Sequence, residues 1–429
     1  MHALRPFLSL ALVPAALAAS PRPPKSWIDA DTGHRVVRLT DEPGSGSLYF
    51  NINAYTPDGK RMVYTTRDHG IGVIDLATFK AHIVVPGSAA GGGPGGIVVG
   101  HKTNTVFYNK EAADPLYEEF WATDLDTGAS RKLATLPRRG GIASVNADET
   151  LAAGSYIVGD GEDFAGRHSA KGAAGPAKME VAANKGRMMA ERLAARLPMV
   201  IFVLDLATGK SRPLVASTDW LDHLQFSPTD PTLLMYAHQG AWNQVDKLWV
   251  VRTTDGSEVR EIGRRIMQME GIGHQWWDRT DDIWYDLHFP LGGDVSYVAG
   301  WNLATGERTW YRYQPEMASI HFNRSPDGTL FCGDGGREAG GQWIYLFHPH
   351  LIPDNHSKGH DLIRPGYFVA EKLVNLGRTA IHGPHDYRLE PNVSFTPDQK
   401  WVIFRSNMFG PSYAFAVEVA KAGAPAPAP

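Results

Sequence analysis

The stretch DHLQFSPTDPTLLMYAHQGAWNQVDKLWVVRTTDG, residues 222–256, contains one structural unit in miniature. Two short apolar runs, TLLMYA (232–237) and KLWVVR (247–252), have the length and the β-branched and aromatic content of strands. A Ser-Pro-Thr-Asp turn signal precedes the first, and a Thr-Thr-Asp-Gly signal follows the second. Both signals recur along the chain. The second returns as DADTG at 29, DLATF at 75, DLDTG at 124, DLATG at 205, RTTDG at 252 and NLATG at 302, starts that lie 46, 49, 81, 47 and 50 residues apart. The first returns as TPDGK at 56, NADET at 146, SPTD at 227, SPDG at 325 and TPDQK at 396, each before a strand-like run such as RMVYTT, TLFCGD or WVIFRS.

A period near 45–50 residues with two turn signals per unit is the mark of a β-propeller, whose four-stranded blades bury their faces only against neighbouring blades. Six marked units and the late strand SYAFAVEV predict an all-β chain, a seven-bladed β-propeller, with six or eight blades as the alternatives. The early strand HRVVRLT at 34–40 is placed to pair with the last blade and close the ring, which removes exposed edges. The 81-residue interval marks a short helical insertion at about 160–197. Its segment NKGRMMAERLAARLP has a helical pattern and reads as a surface helix over a blade edge or as a lid over one face of the ring. Residues 336–387, rich in His, Pro and Gly, read as extended loops around a strand pair.

Residues 1–19, MHALRPFLSLALVPAALAA, have the basic, apolar and small-residue sections of a secretory signal, and the apolar run is too short to span a bilayer comfortably. The expected domains are this signal, a single propeller over 20–420, and a disordered Pro/Ala tail over 421–429. The expected location is periplasmic or secreted, with no membrane span. A formal net charge of −4 carries no electrostatic footprint for nucleic acid. The single cysteine, Cys332, excludes an intrachain disulfide and reads as a small core residue. The chain has no Gly-rich phosphate loop, no C-x-x-C and no H-E-x-x-H.

Several pieces, in order, resemble the oligogalacturonate lyase family, the seven-bladed propellers of polysaccharide lyase family 22. They are the opening DTGHRVVRLTDEPGSGSLYFNINAYTPDGKRMVY, the central DHLQFSPTDPTLLMYAHQGAWNQVDKLW, the strings GHQWWD and SIHFNRSPDG, and the late VSFTPDQKWVIFRSN. The resemblance spans nearly the whole chain after the signal. It departs at HGPHDYRLEPNVSFTP: counted back from SFTP, two family metal-binding histidines fall on Glu390 and Asn392, and a family glutamine falls on Tyr387. Two histidines stand a little upstream, at His382 and His385. The resemblance therefore implies a relative with a rebuilt metal site, oxygen-rich or absent.

The implied chemistry is β-elimination on an acidic, uronic-acid-containing oligosaccharide. A base removes the C5 proton, the C4–O4 bond breaks, and the uronate carboxylate must be neutralised by a divalent cation, Arg or close donors. His238, in AHQGAW at a strand end, is the expected base, and Arg388 its partner in the catalytic set. Arg388 and Arg405 could each pair with a carboxylate in bidentate fashion. His274, with Glu390, Asn392 and His385, is the expected metal set, Mn²⁺ first and Ca²⁺ as the alternative. His321, Trp242, Asn51 and Asn53 are expected to hold substrate, the two asparagines from the channel side of their strand. Trp276 and Trp277 are weighed as sugar platforms or core, and Lys247 as a solvated strand residue. The alternatives are a lyase for rhamnosyl-glucuronate or another glucuronate glycan, and a TolB-like propeller that binds without chemistry.

Overall fold

The computed structural model describes residues 23–88, 95–114, 117–137, 141–158, 185–257, 259–335, 342–354, 362–377 and 389–423. The expected export signal (residues 1–19), most of the expected Pro/Ala tail, His382, His385, Tyr387 and Arg388 lie outside them.

Seven antiparallel blades follow one another: residues 46–85, 95–137, 142–217, 220–261, 271–313, 322–375 and 394–421. Blade 7 supplies only three strands from its own segment. Its fourth and fifth, His34–Arg38 and Ser26–Ile28, come from the other end of the chain, with Val36 opposite Val417 and Arg38 opposite Phe415. Blades 5 and 6 are additionally joined, since Arg308–Tyr313 pairs in parallel with the 13-residue strand Ile363–Asn375. That strand and Trp343–Leu351 form the pair expected between residues 336 and 387.

The repeated turns do local work. D-x-x-T-G joins third to fourth strands in blades 2 and 3. Asp124 Oδ1 accepts the Thr127 amide at 2.8 Å and its hydroxyl at 2.9 Å, and Asp205 does the same for Thr208 at 2.7 and 2.9 Å. The closing glycines, Gly128 and Gly209, have φ of +72° and +68°, a region a side chain resists. The Ser/Thr-Pro-Asp turns join first to second strands, with Thr56 and Thr396 hydroxyls on Asp58 and Asp398. Between blades lie apolar layers. Trp284, Tyr311, Phe322, Phe331, Tyr345, Phe347 and Phe368 fill the space between blades 5 and 6, each contributing about 1.5–3 kcal/mol by burial. Cys332 is fully buried between blades 6 and 7.

The insertion ends in one helix, α1 (Lys185–Ala195). It covers the edge of blade 4. Met189 is buried, and Leu193 reaches Gly240, where a Cβ would stand 3.4 Å from Leu193 Cδ2. The Arg192 guanidinium lies 4.0 Å over the Trp220 ring, and Arg196, just past the helix, pairs with Asp219.

Candidate active site

Two histidines meet inside the ring from adjacent blades. His274 sits in the innermost strand of blade 5, Gly271–Trp277, at a break in register between Ile272 and Gln275. The break is made possible by Gly273, where a Cβ would lie 2.1 Å from Asp286 Oδ2. Asp286 can therefore press against this backbone. Its Oδ1 accepts the His274 amide and lies 3.7 Å from His274 Nδ1, while Oδ2 meets His288 Nε2 at 2.9 Å. His321 immediately precedes the innermost strand of blade 6, Phe322–Arg324. Asp334 holds it: Oδ1 accepts the His321 amide at 2.7 Å, and Oδ2 meets Nδ1 at 2.6 Å. The two imidazole centroids are 4.7 Å apart.

Blade 7 adds a carboxylate. Glu390 Oε2 lies 3.7 Å from His321 Nε2, which is buried and has no hydrogen-bond partner among the described residues. His321 thus has a carboxylate hydrogen-bonded to Nδ1, the arrangement that orients an imidazole ligand and raises its basicity, while Asp286 holds His274 through the backbone amide. Tyr49 stands edge-on to His321 at 5.1 Å and stacks on His223 at 6.4 Å. Burial, then the charges of Glu390, Asp334, Asp286 and Asp222, push its phenol well above the ordinary value of 10.0. Phe50 closes the floor, 4.7 Å from His321 and 6.0 Å from Trp276. On its far side lies a separate cavity of about 390 Å³ at the other end of the channel.

His238 belongs to the second strand of blade 4, Leu233–Gln239. Its Nδ1 meets Asp219 Oδ2 at 2.8 Å, and its ring lies between Tyr236 and Trp249. Asp219 is also the partner of Arg196. The link toward His274 runs through Lys247, whose carbonyl accepts the His238 amide and whose Nζ donates to the Gly273 carbonyl at 2.7 Å. Lys247 is 1% exposed, so it is an internal strut and not a solvated residue. Its Nζ lies 5.1 Å from the Trp242 ring, which stands edge-on to His274 at 5.4 Å and stacks on His288 at 5.8 Å.

The structure therefore brings together His274, His321, Glu390 and Trp242. His238 connects to this group through Lys247 and has a different set of ring partners. Four other expected residues are committed to the scaffold. Asn51 Nδ2 donates to the Gln275 carbonyl at 3.0 Å, and Asn53 Nδ2 to the Val99 carbonyl at 2.8 Å; both line the far cavity beyond Phe50. Asn392, at φ +54°, gives its amide to Asp334 and its Nδ2 to the Glu390 carbonyl, while its Oδ1 accepts the Phe50 amide. Arg405 Nε donates to the Glu390 carbonyl at 2.6 Å, so it shapes the loop that presents Glu390. Trp276 is buried in the core, and Trp277 gives its indole N–H to the Gln225 carbonyl. His385 and Arg388, outside the described residues, have no placement. Sequence reasoning missed Asp219, Asp286, Asp334 and His288. The strings YDLHF and FCGDGG held a signal, a carboxylate ending a strand that hairpins back onto a histidine strand.

Among the described residues, no three His, Cys, Asp or Glu side chains are gathered tightly enough to grip an ion as they stand. His274, His321 and Glu390 fit a divalent cation in donor chemistry: two imidazoles, one of them backed by a carboxylate, a further carboxylate, and a buried His321 Nε2 without a hydrogen-bond partner among the described residues.

Known proteins resemble this chain in sequence and in fold. The family model described as oligogalacturonate lyase matches residues 192–422. An oligogalacturonide lyase of Pectobacterium atrosepticum is 24% identical over 223 residues, which cover 50% of this chain and 54% of that protein. An oligogalacturonate lyase of Dickeya dadantii gives the same identity and the same coverage. The chain thus spans about half the length of the curated relatives it matches. A solved oligogalacturonate lyase in complex with manganese superposes with a TM-score of 0.71 at 20% identity, covering 92% of this chain and 96% of that one. The oligogalacturonate lyase structure from Vibrio parahaemolyticus gives 0.71 at 22%, with the same coverage. These two likenesses carry the seven-bladed fold.

Proposed function

The chain belongs to the oligogalacturonate lyase family, and from that premise we propose that it cleaves a uronic-acid-containing oligosaccharide, oligogalacturonate first, by β-elimination. His238 is the base. Its Nδ1–H is held by Asp219, which leaves Nε2 to accept the C5 proton. The electron pair of the broken C5–H bond forms the C4=C5 double bond, and O4 departs and takes up a proton. Negative charge grows on the carboxylate attached to C5, so the site must hold that group against positive charge.

His274, His321 and Glu390 are the residues that would hold a divalent cation, of the manganese class present in the solved relative. Such an ion, when bound, neutralises the substrate carboxylate. Asp286 and Asp334 keep the two imidazoles turned toward the channel, and Phe50 and Tyr49 wall them off from the far cavity. Trp242, edge-on to His274, offers a ring face to the sugar. The observation that carries the reading is the buried, unpartnered His321 Nε2 facing Glu390 beside His274. We further propose export through residues 1–19, to be checked by fractionation.

The test is the ultraviolet absorbance of the unsaturated uronate product, with oligogalacturonate, glucuronan and rhamnosyl-glucuronate glycans as substrates, with and without a chelator. A rise on one of them that H238A abolishes and the chelator suppresses supports the reading. Silence on all, with manganese supplied and the protein folded, overturns it. A rise on a glucuronate glycan alone moves the substrate to that class.

A further inference from the structure

Three arginines near the C-terminal end of the insertion project from successive turns, and they are not alike. Arg187 bonds Glu191 at 2.7 Å, and Arg196 pairs with Asp219. Arg192, between them, has no such partner among the described residues. Its Nη2 reaches only the Met199 sulfur at 3.6 Å, and its Nε is buried without a hydrogen-bond partner among the described residues. Burial pulls its pKa down, and the charge of Asp222 only partly offsets this. A partly buried guanidinium without an acceptor is costly to hold. It is nonetheless laid flat on Trp220 at 4.0 Å, which fixes its plane and presents its edge.

Its position relates it to the proposed base. Trp220 follows Asp219, the residue that holds His238, and in the strand pairing Trp220 faces Gln239 while Leu221 faces His238. Arg192 thus lies one helical turn before Arg196, the arginine that shares Asp219 with His238. The His274–His321–Glu390 cluster already accounts for the carboxylate of the residue being cleaved.

Resting on the lyase reading above, we infer that Arg192, set on Trp220, binds the carboxylate of the uronic acid residue adjoining the one that is cleaved. A planar guanidinium matches a carboxylate in bidentate fashion. The residue thereby selects substrates whose neighbouring sugar is also acidic over those with a neutral neighbour.

The experiment compares wild type, R192Q and R192K on digalacturonate and on the same dimer methyl-esterified at the adjoining residue. R192Q should raise KM for digalacturonate about tenfold or more, a charged hydrogen-bond loss, with kcat within about twofold. R192K should recover part of the loss, and on the ester wild type and R192Q should have the same KM. An unchanged KM in R192Q, or an equal rise on both dimers, overturns the inference, the latter because it marks a purely structural role. If wild type cleaves no substrate, the lyase reading falls by itself. Calorimetric binding of digalacturonate and its ester then decides: weaker binding of the acid alone by R192Q supports the carboxylate site, and equal binding by both proteins overturns it.

Discussion

His321 and Asp334 form a pair with no exposure on either side chain, Nδ1 and Oδ2 being 2.6 Å apart. The same carboxylate accepts the amides of Ile320, His321 and Asn392, so it ties blade 6 to the loop entering blade 7. Asp334→Ala would strand these donors inside the protein. The unfolding free energy should fall by about 3–5 kcal/mol, the scale for breaking a buried hydrogen-bonded pair. Urea denaturation measures it, and an unchanged midpoint would refute the assignment.

His238→Ala should lower the elimination rate by a factor on the order of 10²–10⁴, the usual worth of a positioned base. Asp219→Asn keeps the size of the side chain but can donate where Asp219 accepts. It should slow the reaction at least about tenfold through the wrong imidazole tautomer. Progress curves on a cleaved oligosaccharide read both, and a His238→Ala enzyme of wild-type rate would remove His238 from the mechanism.

Cation retention is expected to depend on His321 and Glu390. Elemental analysis after dialysis against Mn²⁺ should find the ion in wild type and much less in His321→Ala and Glu390→Gln. Thermal melting gives a second reading, because a ligand at a hundred times its Kd stabilises by about 2.7 kcal/mol. Wild type should gain stability with added Mn²⁺, and the two variants should not. Equal gains in all three would place the ion elsewhere.

Phe50 stands between the histidine cluster and the far cavity. Phe50→Ala is expected to cost about 3–5 kcal/mol as a large-to-small core change and to open a passage between the two spaces. Urea unfolding tests the first part. Solvent exchange at the His321 ring, followed by NMR, tests the second: an unaltered exchange rate would mean that other side chains seal the floor.

The repeated turns make an acid-stability prediction. Hydrogen bonds from the Thr127 and Thr208 backbone, then from their hydroxyls, hold Asp124 and Asp205 below the ordinary 3.8. A carboxyl with a depressed folded pKa stabilises the fold above its unfolded value, and the benefit is lost as pH falls through the folded one. Stability should therefore decline as pH drops below about 4, and an Asp124→Asn, Asp205→Asn protein should decline less over that window. Both residues are partly exposed, so salt will mute the difference. Thermal melts across pH, at low and high salt, provide the comparison.

The blades were legible because their turns need particular chemistry: a carboxylate or amide to take the threonine donors, and a residue that tolerates positive φ. Ring closure by HRVVRLT was legible for the same reason, since an unpaired last blade would leave an open edge. The site was only partly legible. His274 stood out in GHQWWD, but Asp286 and Asp334 lie on neighbouring strands, and strand pairing brings them back to the histidines. Asn51 and Asn53 lie in the turn after the first strand of blade 1 and not on a strand, and each turns its amide to another blade's backbone. Spacing names the blade a residue belongs to. Only packing decides which way its side chain faces, as Lys247 illustrates.

The borrowed strands of blade 7 set an order of events. Glu390 is presented by the loop that enters the blade completed by His34–Arg38. During synthesis those early strands can pair only with each other while more than three hundred residues emerge between them and Tyr413–Lys421. The acidic arm of the site then forms in the same step that seals the ring. A ribosome-stalled or clipped chain ending before Glu390 would carry His274 and His321 without that carboxylate, so loss of cation capture would report incomplete synthesis.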